Sequence, residues 1–383
     1  MKQRVLVAMS GGVDSSVAAV LLHKQGYEVV GLTMKTWDYA GSAPKAGKVV
    51  GCCTLESMND ARRVALTHGF AHFVVDIRKE FGDQVIERFA GEYLSGRTPN
   101  PCVLCNTHIK WDALLQRADD LDCACIATGH YARVRETEGR YVVSRGQDLN
   151  KDQSYALWGL PQEHLARTVF PLGRYTKPDI RKMAEEFGLS HVANKPDSYE
   201  ICFIPDNDYR RFLKDYVPGL EARVQGGPFV LADGTEVGRH KGYPFYTVGQ
   251  RRGLGLALGY PVYVTAIDPH TNTITVGHRA QLLKGHLTAR QINLVKYADL
   301  RDERPATGKI RYRDAGAPCL VQQCGEDELR VSFAERRKAV TPGQSVVLYE
   351  GDDVLGGGWI TSAWRASAAQ HADTTCKELL PAK

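Results

Sequence analysis

The sequence has no apolar stretch long enough to cross a membrane and no large excess of charge of either sign. Its 383 residues are 43% hydrophobic and 24% charged, and the formal net charge is +5. Such values are typical of a soluble globular protein, and the length predicts two or three domains. Because the first apolar run begins at Val5, no room is left for a signal or transit peptide, and we expect a cytoplasmic protein without membrane contact.

The sequence also lacks the second paired cysteine motif that a zinc site would need. Ten cysteines are present, and in a reducing compartment we expect buried thiols, redox-active thiols or metal ligands rather than a disulfide framework. Cys102 and Cys105 have a Cys-x-x-Cys spacing, whereas the adjacent Cys52 and Cys53 are poorly placed to share one zinc ion. An iron–sulfur cluster on Cys102, Cys105 and Cys202 stays open as an alternative, and no other metal site is assigned.

The first glycine-rich turn has neither the Gly-Lys-Ser/Thr of a Walker A loop nor the Gly-x-Gly-x-x-Gly spacing of a dinucleotide site. It reads Ser10-Gly11-Gly12-Val13-Asp14-Ser15 and joins an apolar run, residues 5–9, to a helical pattern, residues 16–22. Two glycines let the backbone approach an anion, and the first N–H groups of a helix, which Asp14 or Ser15 can cap, point at it. The pattern predicts a phosphate site, with a plain structural turn as the alternative.

Strands and helices alternate along the first half of the chain. Strand patterns at 28–34, 73–75 and 123–128 are separated by helical patterns, which predicts an α/β domain with a Rossmann-like parallel sheet over residues 1–207. From about Asp208, glycines and short β-type runs, among them 246–248, predict a small central β-rich domain over residues 208–285. Further short strands, among them 309–313, predict a C-terminal β-barrel over 286–364, followed by a disordered tail, 365–383.

The segment 97–106 interrupts this alternation. Pro99 and Pro101 predict an extended approach, which places Cys105 at or just before the N-terminus of a helix. The pKa of a thiol is lowered at such a position, so a thiolate becomes available. Cys202 has apolar neighbours, which is typical of an inert buried thiol unless Cys105 lies close to it.

Several polar and basic residues are placed where they could contact a ligand. His130 follows a strand ending at Thr128, on the carboxyl side of the sheet, and can be a contact or a base. The polar run 148–155 is typical of a solvated loop but can also hold phosphates or ribose. Alternation on the predicted strand 309–313 puts Arg311 and Arg313 on one face, available for RNA phosphates or merely solvated.

The glycine loop resembles the pyrophosphate loop of ATP pyrophosphatases, which split ATP into AMP and pyrophosphate to adenylate a carbonyl oxygen. Ordered motifs from Val5 to about Ile360 further resemble the tRNA-specific 2-thiouridylases, sulfurtransferases that place sulfur on C2 of the wobble uridine of some tRNAs. The resemblance implies an N-terminal domain of the adenine nucleotide alpha hydrolase type. The motifs are Met34-Lys35-Thr36-Trp37, Thr98-Pro99-Asn100-Pro101, Cys105-Asn106, Thr128-Gly129-His130-Tyr131-Ala132-Arg133, Lys151-Asp152-Gln153-Ser154-Tyr155, Glu200-Ile201-Cys202-Phe203-Ile204, Tyr246-Thr247-Val248-Gly249-Gln250-Arg251, Arg311-Tyr312-Arg313, Pro342-Gly343-Gln344 and Leu355-Gly356-Gly357-Gly358.

This resemblance implies roles for individual residues. Cys105 matches the nucleophile, and Cys202 matches the cysteine that carries the persulfide and forms a transient disulfide with Cys105. The residues expected to contact ATP are Ala8, Met9, Ser10, Gly11, Gly12, Val13, Asp14, Ser15, Met34 and Gly129. The target base is expected at Asn100, Pro101 and Cys102, and the tRNA at His130, Lys151, Asp152, Gln153, Arg311, Tyr312 and Gln344. Cys102 stands where several family members have an aspartate, so a carboxylate acid or base is missing there.

The chemistry that follows has two stages. The C2 oxygen of uracil is a poor leaving group, so it attacks the α-phosphorus of ATP, and pyrophosphate leaves into the glycine loop with Mg²⁺ sharing its charge. A donor protein of a cysteine desulfurase relay then supplies sulfur as a persulfide on Cys202. The persulfide attacks C2 directly, or sulfide is released when Cys105 closes the disulfide, and either route needs a reductant. The base must leave the anticodon loop to react.

Two other functions use parts of the same pattern. Amide-forming synthetases carry the same loop but need an ammonia or amine source, and no glutaminase pattern is present. A pure RNA-binding module would have no use for the loop. Release of pyrophosphate that depends on tRNA separates thiolation from both.

Overall fold

The structure is a computed structural model that describes residues 2–38, 54–195 and 201–365. The chain forms two compact units. Of the described residues, the first unit contains 2–38, 54–86, 101–195, 201–208 and 352–354, and the second contains 87–100, 209–351 and 355–365. Most of the predicted loop at 38–51, the Cys52-Cys53 pair and the predicted tail beyond residue 365 lie outside the described residues.

The first unit is built on a parallel sheet. Its strands are β1 (Arg4–Ala8), β2 (Glu28–Lys35), β3 (Ala71–Asp76), β4 (Cys125–Ala127), β5 (Ala132–Thr137), β6 (Arg140–Arg145) and β7 (Thr168–Val169). The sheet order is β3-β2-β1-β4-β7 with every pair parallel, and β5 and β6 form an antiparallel hairpin. The predicted α/β fold with a Rossmann-like parallel sheet is confirmed.

Helices alternate with these strands. They are α1 (Val13–Lys24), α2 (Leu55–His68), α3 (Arg78–Phe81), α5 (Pro101–Cys105), α6 (Trp111–Asp120), α7 (Gln162–Ala166), α8 (Lys177–Glu186) and α9 (Ser190–Ala193). Helix α4 (Glu87–Leu94) lies between α3 and α5 in the chain and belongs to the second unit. A π-helical turn, Asn106–Lys110, joins α5 to α6, and another, Gly82–Ile86, follows α3. No helix among the described residues is long and apolar enough to span a bilayer.

Strand β1 lies at the centre of the core of this unit. Val5, Leu6 and Val7 are fully buried, as expected for a parallel strand that is covered on both faces. Helix α1 is apolar along most of its length, and its residues from Ser15 to Val20 are buried. The loop between β1 and α1 is therefore attached at both ends to the buried core of the unit.

The second unit contains a mixed sheet and two further helices. Its strands are β8 (Pro228–Val230), β9 (Glu236–Arg239), β10 (Tyr263–Asp268) and β11 (Thr273–Gly277), in the order β10-β11-β8-β9, and its helices are α10 (Tyr209–Tyr216) and α11 (Leu220–Val224). The strand predicted at 246–248 is wrong. A 3₁₀ turn, Tyr243–Phe245, precedes it, and the chain turns again at Gly249, where φ is +91°.

The last six strands of the chain form a closed barrel. They are β12 (Leu283–Leu294), β13 (Arg304–Lys309), β14 (Ala317–Gln323), β15 (Glu328–Lys338), β16 (Ser345–Glu350) and β17 (Asp353–Trp364). The order is β12-β15-β14-β13-β16-β17, and pairing of β12 with β17 closes the ring. Its interior is apolar, with Leu287, Val321, Val331 and Leu348 fully buried. The predicted β-barrel is confirmed.

The strand predicted at 309–313 is wrong beyond its first residue. Strand β13 ends at Lys309, and Asp314 then accepts hydrogen bonds from the backbone N–H groups of Ile310, at 3.0 Å, and Gly316, at 3.3 Å. These bonds fold the segment into a turn, so strand alternation does not put Arg311 and Arg313 on one face. Both arginines and Tyr312 are nevertheless exposed.

Candidate active site

The glycine loop joins the end of β1 to the start of α1. Gly11 has φ +72°, and a Cβ atom added there would lie 1.9 Å from the carbonyl oxygen of Ser57, so only glycine fits. The helix is capped by Gly12 without a side-chain hydrogen bond, so the predicted cap by Asp14 or Ser15 is wrong. Instead the Ser15 hydroxyl accepts a hydrogen bond from the N–H of Ser10 at 3.1 Å. The loop is therefore shaped by the backbone at Gly11 and by the Ser15 hydroxyl.

The carboxylate of Asp14 is neutralised within the protein. The ammonium of Lys177, at the start of α8, donates to both Asp14 oxygens at 2.8 Å, and the hydroxyl of Tyr131 donates to one of them at 2.7 Å. Lys177 is buried, with 7% of its surface exposed. The pair removes the repulsion that a lone carboxylate would exert on a phosphate, and it fixes the loop to α8 and to the segment after β4.

The residues expected to contact ATP come together at one edge of the sheet. In the register of the strands, Ala8 pairs with Leu32 of β2 and Val7 pairs with Ala127 of β4, so the carboxyl ends of the three strands are neighbours. Gly129, two residues after β4, approaches α1 so closely that an added Cβ would lie 2.9 Å from the N atom of Ser15. Open parallel sheets bind ligands at this edge.

His130 is a neutral imidazole near physiological pH. Its ring lies 5.6 Å from the ring of Trp111 and 6.1 Å from that of Phe170, and its Nδ1 is 2.8 Å from the hydroxyl oxygen of Thr128. Burial, with a smaller contribution from the charge of Lys110, lowers the pKa of His130 to about 3. As placed, it can exchange hydrogen bonds but does not offer a positive charge to a phosphate.

Cys105 does not lie at a helix N-terminus, as the sequence predicted. The helix begins at Pro101, which suits the first helical position because it needs no N–H partner, and Cys105 is the last residue of α5. The π turn Asn106–Lys110 then continues the helix into α6. Only 6% of the surface of Cys105 is exposed. The prediction that Cys105 lies at a helix N-terminus is therefore wrong.

Cys102 and Cys202 are more accessible than Cys105. Cys102 is exposed, yet desolvation by the surrounding protein raises its pKa, and the charge of Lys110 offsets part of the effect. Cys202 lies in a turn and is partly buried, whereas its neighbours Phe203 and Ile204 are 2% and 1% exposed. Phe203 and Ile204 are thus the buried residues of this segment, and Cys202 is less buried than the core thiol that they predicted.

The described residues offer no preassembled site for a metal cluster. Within the part of the chain that it describes, no group of three or more His, Cys, Asp or Glu side chains could hold a metal ion. Cys102, Cys105 and Cys202 all belong to that part. The iron–sulfur alternative therefore gains no support from the arrangement of these thiols.

The polar run 148–155 is more internal than the solvated loop that its composition predicted. The carboxylate of Asp152 accepts hydrogen bonds from the backbone N–H groups of Gly146, at 3.2 Å, and Ser154, at 3.1 Å. The side-chain oxygen of Gln153 accepts from the N–H of Tyr131 at 2.9 Å. These bonds hold the loop beside the residues that follow β4, and direct contact with tRNA stays a prediction for Lys151, Asp152 and Gln153.

In the second unit, the segment 342–344 supports the backbone that precedes Asn100. The side-chain amide of Gln344 donates to the carbonyl oxygens of Thr98, at 3.1 Å, and Pro99, at 2.9 Å. Gly343 has φ +87°, and an added Cβ would lie 2.8 Å from the Thr98 oxygen. Gln344, expected to contact tRNA, is therefore also a brace for the segment expected to meet the target base.

Sequence reasoning missed two lysines that contact the glycine loop. Lys177 binds Asp14, as described above, and the ammonium of Lys195 lies 3.4 Å from the carbonyl oxygen of Gly11. They approach the loop from 163 and 184 positions away in the chain. A single sequence carries no local signal for contacts between such distant residues.

Three family models match the chain in succession. They are the tRNA methyl transferase HUP domain over residues 3–206, the tRNA methyl transferase PRC-barrel domain over 210–278, and the aminomethyltransferase beta-barrel domain over 284–360. The tRNA-specific 2-thiouridylase MnmA of Salinibacter ruber is 73% identical over 361 residues, which is 94% of each chain. The chain belongs to the tRNA-specific 2-thiouridylase family.

Other 2-thiouridylases agree with this assignment. The enzyme named tRNA-specific 2-thiouridylase MnmA from Amoebophilus asiaticus is 59% identical over 96% of this chain and 97% of its own, and that of Cytophaga hutchinsonii is 59% identical over 95% and 99%. The family resemblance seen in the motifs is confirmed. The domain boundaries after residues 207 and 285 stay a proposal, because the compact units do not separate a central domain from the barrel.

Proposed function

We propose that the protein is a tRNA 2-thiouridylase, which uses ATP to adenylate the C2 oxygen of the wobble uridine and then replaces that oxygen with sulfur. The products are 2-thiouridine, AMP and pyrophosphate. The observation that carries the proposal is the 73% identity to a named 2-thiouridylase over 94% of both chains. The loop geometry supports it independently, because the backbone of residues 10–15 is shaped for an anion at the carboxyl edge of a parallel sheet.

For ATP binding, we assign the phosphates to the loop and the adenosine to the neighbouring strand ends. The loop residues are Ala8 to Ser15, and Met34 and Gly129 are the flanking contacts. Mg²⁺ would enter with the nucleotide, because the carboxylate of Asp14 is already engaged by Lys177 and Tyr131. The described residues therefore show no dedicated magnesium ligand at the loop.

For sulfur transfer, we assign the persulfide to Cys202 and the second thiol to Cys105. In one route the Cys105 thiolate attacks the Cys202 sulfur, the S–S bond of the persulfide breaks, and the released hydrosulfide displaces AMP from C2. In the other, the terminal sulfur displaces AMP first, and Cys105 then frees the thiouridine. Both routes end in a Cys105–Cys202 disulfide that a thiol reductant must reopen. The partial exposure of Cys202 suits delivery by a persulfide-carrying donor protein.

For tRNA binding, we assign the target base to the start of α5. Asn100 and Pro101 precede Cys102, whose exposed thiol can line the entry for a base turned out of the anticodon loop. Arg311 and Tyr312 lie on an exposed turn and can reach the phosphate backbone or stack on a base. His130 contributes a neutral hydrogen-bonding ring, and Lys151 a charge.

The test is to incubate the purified protein with a tRNA transcript, ATP and a persulfide donor, and to analyse the nucleosides by mass spectrometry. We expect 2-thiouridine at the wobble position and pyrophosphate release that requires tRNA. Release without tRNA, driven by a small carboxylic acid, would instead support an amide-forming synthetase. An absorption band in the visible range from anaerobically purified protein would revive the cluster alternative, whereas colourless active protein would remove it.

A further inference from the structure

A second basic residue, Lys195, lies at the glycine loop in a different setting from Lys177. Its ammonium lies 3.4 Å from the Gly11 carbonyl oxygen and forms an ion pair with Asp60 of α2. Asp60 is buried, with 9% of its surface exposed, while the side chain of Lys195 is 23% exposed. The lysine therefore has one fixed ionic partner and one weak, long contact to the loop backbone.

The backbone of Lys195 is held in place independently of its side chain. Arg181 of α8 donates to the carbonyl oxygens of Ala193 and Lys195, the latter at 3.3 Å. The ammonium is thus positioned by α8 and α9 from one side and by Asp60 from the other. A charge held in this way costs little to reorganise when an anion arrives.

The two lysines differ in whether their ammonium group is available to a bound phosphate. Lys177 gives its ammonium to both oxygens of Asp14 and is 7% exposed, so its charge is used inside the protein. The ammonium of Lys195, by contrast, donates to the neutral carbonyl oxygen of Gly11, and the distance of 3.4 Å is at the long limit for a hydrogen bond. A phosphate oxygen at the loop would be a stronger acceptor at nearly the same place.

We propose that Lys195 binds the leaving pyrophosphate. When ATP occupies the loop, its ammonium exchanges the Gly11 carbonyl for oxygens of the β- and γ-phosphates and stays tethered to Asp60. As the bond from the α-phosphorus to the bridging oxygen breaks, the negative charge that develops on pyrophosphate is stabilised by this ammonium. The inference rests on the proposed adenylation but concerns a residue that neither the motifs nor the family comparison assign.

The test compares four variants by their affinity for inorganic pyrophosphate, measured by calorimetry, and by tRNA-dependent AMP formation. Lys195→Met leaves Asp60 buried without a partner and can unfold the protein, so the double variant Lys195→Met, Asp60→Asn replaces the pair by neutral groups of similar size. We expect the double variant to fold and to bind pyrophosphate at least about tenfold more weakly, with kcat for AMP formation lowered by about a hundredfold. Lys195→Arg should retain part of both.

Asp60→Asn is the matched control, because it keeps the ammonium and an amide oxygen that can still accept its hydrogen bond. Its affinity for pyrophosphate should therefore stay within about threefold of the wild type. A purely structural ion pair predicts instead that Lys195→Met and Asp60→Asn lose stability and activity in parallel, and that the double variant recovers pyrophosphate binding, which overturns the proposal. Wild-type protein that binds pyrophosphate but makes no thiouridine would reject the proposed function while keeping this site.

Discussion

The glycine loop and the Cys202 turn, both in the first unit, are held in contrasting ways. The loop is fixed from three sides, by Ser57 against Gly11, by Gly129 against the start of α1, and by the buried Lys177 on Asp14. Cys202 lies in a turn whose neighbour Phe203 packs 5.8 Å from the ring of Phe81, while its own side chain keeps part of its surface in solvent. Phosphate chemistry needs fixed dipoles, whereas the role that we propose for Cys202, that of sulfur carrier, requires it to meet a donor and an acceptor in turn.

The largest effect on thiolation should come from a variant that blocks sulfur transfer but leaves adenylation intact. Cys202→Ser removes the proposed sulfur carrier but leaves the loop untouched, so thiolation should fall at least about a thousandfold while tRNA-dependent pyrophosphate release persists. Mass spectrometry of the tRNA and a pyrophosphate assay measure the two stages. Cys123→Ala, at a buried thiol whose pKa burial raises to about 11, is the control and should thiolate normally. Thiouridine formed by Cys202→Ser would contradict the assignment.

The next effect concerns the rigidity of the loop. Gly11→Ala places a methyl group 1.9 Å from the Ser57 oxygen at a φ of +72°, so we expect a loss of about 3 kcal/mol of unfolding free energy and about a hundredfold slower AMP formation. Gly12→Ala is the stability control, because φ is −90° and the nearest atom is 3.6 Å away. Thermal unfolding should show a shift only for Gly11→Ala, and equal shifts would refute this packing argument.

A smaller effect is expected in the second unit. Gly343→Ala would push against the Thr98 carbonyl oxygen, 2.8 Å from the new Cβ, and displace the backbone that leads to Asn100. We expect kcat for thiolation to fall about tenfold. Gly351→Ala shares a positive φ, +59°, but meets open space, so it should lose only about 1 kcal/mol of stability and no activity. Equal activity of the two variants would argue against the bracing role of residues 342–344.

The smallest effect is a pH dependence. The pKa of His130 is lowered from 6.5 to about 3, so the unfolded chain binds a proton that the folded protein does not. The contribution of neutral His130 to the free energy of unfolding is therefore fully present above pH 6.5, the ordinary pKa of histidine. It is lost as the pH falls from 6.5 toward 3, by up to about 1.4 kcal/mol per pH unit. Denaturant unfolding at several pH values should show a shallower acid loss for His130→Asn, and identical slopes would contradict the shift.

The sequence predicts correctly the elements that have a regular pattern of apolar residues or a local motif. The parallel sheet and the barrel were predictable from successive runs of apolar residues. The special backbone conformation at Gly11 was predictable from the glycine motif, because that motif requires a residue without a Cβ atom. The errors occur where a local turn or helix start, or a contact between distant segments, determines the structure. Asp314 turns the chain after Lys309, Pro101 starts a helix earlier than expected, and the lysines of the loop come from distant segments.

The π turn after Cys105 sets the direction in which the thiols of α5 face. A π turn holds one residue more than an α turn, and each residue advances a helix by about 100°. Helix α6 buries Trp111 and Leu114 in the core, so a straight α-helix through residues 106–110 would rotate Cys102 and Cys105 by that angle relative to those anchors. One inserted position in the helical ladder thus sets the direction in which Cys102 and Cys105 face, while α6 stays packed in the core.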